Sequence, residues 1–127
     1  MLPGFVLPET TVREAGTSAA YDLAGFAGSV VLLTLGITRI IEQQSLDVSI
    51  WGSADGNDWG SKPLTAFPQK FYCGTYQMLL DLSDYRDVRY LRAKWTVARW
   101  GKGDPKPLFG IYLFAQAVKS QVLAISA

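Results

Sequence analysis

The 127-residue chain contains no histidine and a single cysteine, Cys73. Without histidine, no Ser-His-Asp or Cys-His nucleophile can be assembled, and the commonest zinc ligand is missing. One cysteine forbids an internal disulfide. With no imidazole to activate it, Cys73 reads as a small buried or half-buried apolar residue. Charge is also scarce. Charged residues make up 18% of the chain and the net charge is +1, which gives none of the basic footprint that a nucleic-acid binder concentrates. No apolar run approaches the ~20 residues of a membrane span. The start, Met1 to Pro8, lacks a basic region and is broken twice by proline. The expectation is a soluble protein made in the cytoplasm without a signal peptide. The one asparagine, Asn57, precedes Asp58-Trp59, so no N-glycosylation sequon exists.

Hydrophobic residues supply 49% of the chain and aromatics 13%, enough at this length for one independently folding core. The apolar residues alternate. In Leu46 to Ile50, Leu46, Val48 and Ile50 share one strand face while Asp47 and Ser49 share the other. Asp55-Gly56-Asn57 then turns the chain, and Trp59 returns a large ring to the body. Leu91, Ala93, Trp95 and Val97 alternate with Tyr90, Arg92, Lys94 and Thr96 in the same way. Ser29 to Thr38 is apolar on both faces, as a central strand would be. Leu64 to Tyr72, interrupted by Pro68, reads as an edge strand. Tyr76 to Leu82 and the aromatic stretch Leu108 to Ala115 complete a set of about seven or eight strands. The pattern predicts an all-β antiparallel sandwich or jelly roll over residues 11–115. Residues 1–10 read as an extended arm, carrying Leu2, Phe5, Val6 and Leu7 between prolines. Residues 116–127 read as a tail, a short helix or an edge strand, with Val118, Val122 and Ile125 on one side. Gly16-Thr17-Ser18 reads as a turn.

Two families share pieces of this sequence. Val48 to Trp59 resembles the S-x-D-G-x-x-W hairpin of discoidin-like (coagulation factor 5/8 C-type) domains, and Val88 to Arg92 resembles their R-Y-[IL]-R strand. Such domains are jelly-roll modules that bind glycans or lipid head groups through loops at one end. Asp22 to Gly28, Leu46 to Trp59, Arg89 to Val97 and Phe109 to Ile111 together resemble short β-sandwich proteins of tailed-phage and prophage structural regions. That likeness implies a virion or particle component without chemistry. In place of their short turn before the last strand, this chain has Arg99 to Pro107.

For catalysis there remain carboxylate pairs, and Asp47, Asp81, Asp84 and Asp87 stand where turns and wet strand faces would put acids anyway. No enzyme and no cofactor are expected. Asp55, Asn57 and Asp58 offer hard oxygens close together, a weak metal candidate that turn formation explains equally well. The binding candidates are Trp51, on the face predicted to be wet, Trp100 with Arg99, Lys102 and Asp104 in the loop before the last strand, and the outward stripe Tyr90, Arg92 and Lys94. Arm and tail would extend contacts to other subunits. The reading is a non-catalytic structural protein acting through self-association or with other structural subunits. Its alternative is a carbohydrate-binding module.

Overall fold

The structure is a computed structural model and describes residues 2–41, 43–100 and 106–118. Six strands are long: β1 (Gly4–Val12), β4 (Val30–Ile40), β5 (Gln44–Ser53), β7 (Gly74–Asp81), β8 (Tyr90–Arg99) and β9 (Phe109–Ala117). Three have two residues each: β2 (Gly16–Thr17), β3 (Tyr21–Asp22) and β6 (Thr65–Ala66). They form two sheets, ordered β1-β9-β4-β7 and β2-β8-β5-β6, with β3 also on β8. Because β2 pairs with Trp95 and Lys94, and β3 with Leu91 and Tyr90, the two short strands act as one interrupted strand along β8.

The pairing is nested. β1 lies on β9, β2 and β3 on β8, β4 on β7 and β5 on β6, all antiparallel. This is one long hairpin with its tip between β5 and β6. It is rolled until β4 meets β9 and β5 meets β8. An eight-stranded ribbon wrapped in that way is a jelly roll, the architecture expected from the alternating pattern.

Alternation fills the space between the sheets. Val31, Leu33, Leu35 and Ile37 of β4 and Phe109, Ile111, Leu113 and Ala115 of β9 face Leu46, Val48 and Ile50 of β5 and Leu91, Ala93 and Trp95 of β8. Val48, Ile50, Leu91 and Trp95, the residues on which the sandwich reading depends, are 3%, 0%, 0% and 8% exposed. Leu23 and Leu82, both fully buried, plug the core beside the two short 3-10 turns Ala24–Phe26 and Leu82–Asp84.

Four expectations need correction. Residues 4–12 are a strand of the sandwich rather than an arm: Leu2, Val6, Leu7 and Val12 are buried, and only Phe5 of the apolar set is exposed, at 50%. Pro8 fits there because β1 is an edge strand whose register shifts between Leu7 and Thr10, so no ladder donor is required of it. Gly16-Thr17 is a strand rather than a turn, since the Trp95 indole lies over Gly16 and fills the place of its missing side chain. The tail boundary moves, because β9 runs to Ala117 and Val118 N–H donates to Val30 O at 2.9 Å. Val122 and Ile125 lie outside the described residues. Cys73 is exposed, since it falls in the connection before β7 and outside both sheets. Among the described residues, no helix is long and apolar enough to cross a membrane.

Candidate functional site

The two outward faces differ in chemistry. On the β2-β8-β5-β6 sheet, register places Trp51 opposite Arg92 and Ser49 opposite Lys94, so Trp51 and the Arg92, Lys94 stripe share one face as the alternation predicts. The Arg92 guanidinium lies 4.3 Å from the Trp59 ring centre, and Lys94 Nζ lies 5.1 Å from that of Trp51. Both cations sit over aromatic faces. Arg92 Nε is buried without a hydrogen-bond partner among the described residues. Tyr90 stands at the start of the stripe, with the Arg89 guanidinium 5.9 Å from its ring. Trp51 Nε1 donates to Ser49 Oγ at 2.9 Å, which fixes the indole edge. Beside it lies a shallow groove of about 220 Å3 lined by Asp47, Ser49, Trp51, Phe67, Lys94 and Thr96. Sequence reasoning did not select Trp59 and Phe67 for this surface. Their position after turns, rather than within an alternating run, hides the face they join.

Trp100 belongs elsewhere. It continues the β8 ladder through a bond from its N–H to Gln43 O, eight residues beyond Arg92, or roughly 26 Å along an extended strand. Trp51 and Trp100 therefore form two separate surfaces and not one platform. Trp100, 61% exposed, meets Phe71 edge-on at 6.2 Å, and Phe71 leans on Tyr72. These rings border a cleft of about 380 Å3 with Ile40, Gln43 and Gln44. Arg99 ends β8 beside them. Lys102 and Asp104 lie outside the described residues.

The Asp55, Asn57, Asp58 trio is a turn built on one carboxylate. Asp55 Oδ1 accepts from the Asn57 and Asp58 amides at 2.8 and 2.9 Å and from Ser53 Oγ at 3.0 Å. Ser53 Oγ accepts from the Gly56 amide, and Gly56 takes φ +81°, where a side chain would be strained. The amides of Asp58 and Asn57, then the Ser53 hydroxyl, hold the Asp55 carboxyl below its ordinary 3.8. A carboxyl depressed in the fold stabilises it fully above the unfolded value and loses that contribution as pH falls through the folded value. The expected outcome is that the Asn57 and Asp58 amide shifts titrate with a midpoint below 3.8, and that Asp55→Ala abolishes the transition in NMR.

Of the four acids considered for catalysis, Asp47 stands apart from the other three. Asp81 Oδ1 accepts from the Ser83 amide and caps the 3-10 turn that contains Asp84, with Asp87 in the loop that follows. Asp47 accepts from Gln69 Nε2 in the other sheet. It stands opposite Thr96, six residues along β8 from Tyr90 and so roughly 20 Å from that loop, twice the span that paired-carboxylate hydrolysis uses.

The outward face of the β1-β9-β4-β7 sheet has a different composition. Register aligns Phe5 with Phe114, Phe114 with Thr34, Thr34 with Gln77, Leu32 with Leu79 and Gly36 with Tyr112. Phe5 packs edge-on against Phe114 at 5.0 Å and Tyr112 at 6.0 Å, the Tyr112 ring covers Gly36, and Gln77 Nε2 reaches Thr34 Oγ1 at 3.4 Å. Leu79 at the β7 margin is 57% exposed. The ends of this face are charged, with Asp81 at one and Glu9, bonded by Thr38, together with Arg39, paired with outward Gly110, at the other; the band between them carries aromatic, aliphatic, hydroxyl and amide groups. Sequence reasoning missed it. Its members come from four strands far apart in the chain, and only the strand order brings them together.

Comparison with known proteins bears on the fold. No family model matches the sequence, and no curated protein matches it. Among solved structures the chain is similar to a chain of the T13 IBDV viral particle, with a TM-score of 0.51 and 13% identity. The match covers 89% of this chain and 30% of that one. The chain is also similar to the K3 cleaved adhesin domain of Lys-gingipain from Porphyromonas gingivalis W83, with a TM-score of 0.45, 12% identity and coverage of 85% and 65%. At such identities the viral-particle likeness concerns the β-rich fold alone, and this chain spans under a third of that neighbour's length.

Proposed function

We propose that the chain is a non-catalytic structural subunit which works by assembling with copies of itself or with other structural subunits, as a component of a virion-like particle. The observation that carries this reading is the uncharged, aromatic-rich middle band of the outward face of the β1-β9-β4-β7 sheet, between Asp81 and Arg39, since a sandwich that stays alone in water presents mainly polar and charged residues there. The jelly roll suits the role, being an architecture that viral capsid domains use, and the viral-particle neighbour shares the β-rich fold. The likeness to tailed-phage sandwich proteins points the same way.

The expected result is concentration-dependent self-association of the purified chain in sedimentation velocity and light scattering. A monomer at every concentration would refute self-association and leave only assembly with other subunits. Deleting residues 1–10 is not a usable control, because it strips Val6 and Leu7 from the core. The Trp51 groove supports a second reading, a glycan-binding module, since an indole wall beside Asp47, Ser49 and Lys94 offers stacking and hydrogen bonds to a sugar. Glycan-array binding that disappears in Trp51→Ala with the fold unchanged would favour that module, and an array without binding would count against it.

A further inference from the structure

We infer that the interface of this assembly is the outward face of the β1-β9-β4-β7 sheet, and that what covers it is the same face of a second copy related by a two-fold axis. The inference rests on the assembly reading and names its partner.

The first argument is composition. Phe5, Phe114, Leu32 and Leu79 run across all four strands, and register puts the hydrophilic members Thr34 and Gln77 within the same band. Apolar area of this kind is stabilised by removal from water, at about 25 cal/mol per Å2.

The second argument selects the occupant. In a two-fold interface, residues near the axis meet their own copies. A charged group there would face its like, whereas an amide or a hydroxyl both donates and accepts, so it can pair with itself. An unlike partner imposes no such restriction, and interfaces between unlike chains use complementary charge for specificity. The opposite sheet of this molecule carries Asp47, Arg92 and Lys94 on its outward face, so a charge-free surface is not a general property of the chain. The uncharged band is confined to the middle of one face, where a two-fold axis would pass, and that composition suits self-pairing.

The third argument is area. Four strands at about 4.8 Å spacing and, between the charged ends, some seven residues at about 3.3 Å give a band of roughly 440 Å2 in projection, so two copies together bury about 900 Å2. That lies below the range of about 1,200–2,000 Å2 for specific, stable interfaces, in the class of weak and transient ones. The dimer is therefore weak and concentration-dependent. Two such faces pack as sheets do inside a sandwich, about 10 Å apart.

The test uses sedimentation velocity on the full chain, with variants at both margins of the face and one on the opposite sheet. Leu79→Lys and Phe5→Lys change exposed side chains, and far-UV circular dichroism and the melting midpoint verify that the fold is retained. The expected result is a monomer–dimer equilibrium for the native chain, weakened at least tenfold in each of these variants and unchanged in Lys94→Glu. If the native chain associates and both margin variants associate equally well, the face is not the interface. Assembly then stands and this inference falls. Loss in Lys94→Glu alone would move the interface to the other sheet and overturn the inference too. Removing residues 119–127 tests the remaining occupant: stronger association after truncation would mean that this segment covers the face in the native chain, against a second copy. A native chain that is monomeric throughout would remove self-assembly, and this inference with it.

Discussion

Replacing Trp95 with alanine is expected to lower the unfolding free energy by about 3–5 kcal/mol, the range for removing a large buried aromatic. Trp95 is 8% exposed and occupies the side of the sandwich where β1 and β2 do not pair with each other. Its ring lies so close over Gly16 that a Cβ added there would stand 2.8 Å from it, and its Nε1 donates to Glu14 O at 3.1 Å. Alanine removes the packing and the hydrogen bond together, and leaves Gly16 bare in a two-residue strand. Trp95→Phe keeps most of the apolar ring and loses the bond, so it is expected to recover more than half of the deficit. Guanidinium unfolding followed by circular dichroism measures both. A loss below about 1 kcal/mol for alanine would mean that the ring does not seal this side.

Gln44→Ala is expected to cost about 2–4 kcal/mol through a different mechanism, the stranding of half-buried backbone polar groups. Gln44 is 1% exposed, and its amide forms a two-point pairing with one residue: Nε2 donates to Leu108 O at 2.7 Å and Oε1 accepts from Leu108 N–H at 2.8 Å. The pair ties the start of β5 in one sheet to the approach of β9 in the other. Without the side chain, both groups of half-buried Leu108 lose their partners. Gln44→Glu sharpens the test. A carboxylate still accepts from the amide but cannot donate to the carbonyl, whereas the protonated acid can do both. Burial raises the folded pKa of such an acid, so stability is greatest at low pH and falls as pH rises through that value. Equal stability of Gln44→Glu at acid and neutral pH would contradict the pairing.

The sequence revealed what depends on neighbouring residues and hid what depends on distant ones. The alternation in Leu46 to Ile50 and Leu91 to Val97 predicts two amphipathic strands, and both are strands with those residues inside. The doubly apolar stretch after Ser29 does become an interior strand of its sheet, between β9 and β7, with Leu33 to Ile37 buried. Gly16-Thr17 reads as a turn because the glycine that weakens a strand is visible locally, while the indole that compensates is contributed by Trp95. Residues 4–12 read as an arm because Pro3 and Pro8 are obvious, whereas the bulge that accommodates Pro8 is a property of pairing with β9. Among candidate binding residues, Trp51, Arg92 and Lys94 share a face because they lie on strands of legible register. Trp100 fell out of the group because distance along β8 separates it from Trp51. The uncharged band was invisible for the same reason as the Trp95 and Gly16 pair: Phe5, Leu32, Leu79 and Phe114 become neighbours only through strand order.

The nested ribbon also constrains how the molecule comes into being. Gly4 waits for Ala115 and Val12 for Phe109, partners about a hundred residues apart, a separation that places such β topologies among the slower-folding small proteins. On the ribosome, β4 can find β7 early, but its other edge stays open until β9 emerges, and β1 has no partner before then. During that interval Phe5, Leu7 and the inner side chains of β4 are accessible to other nascent chains, so synthesis rate and chaperone occupancy govern the yield of this fold.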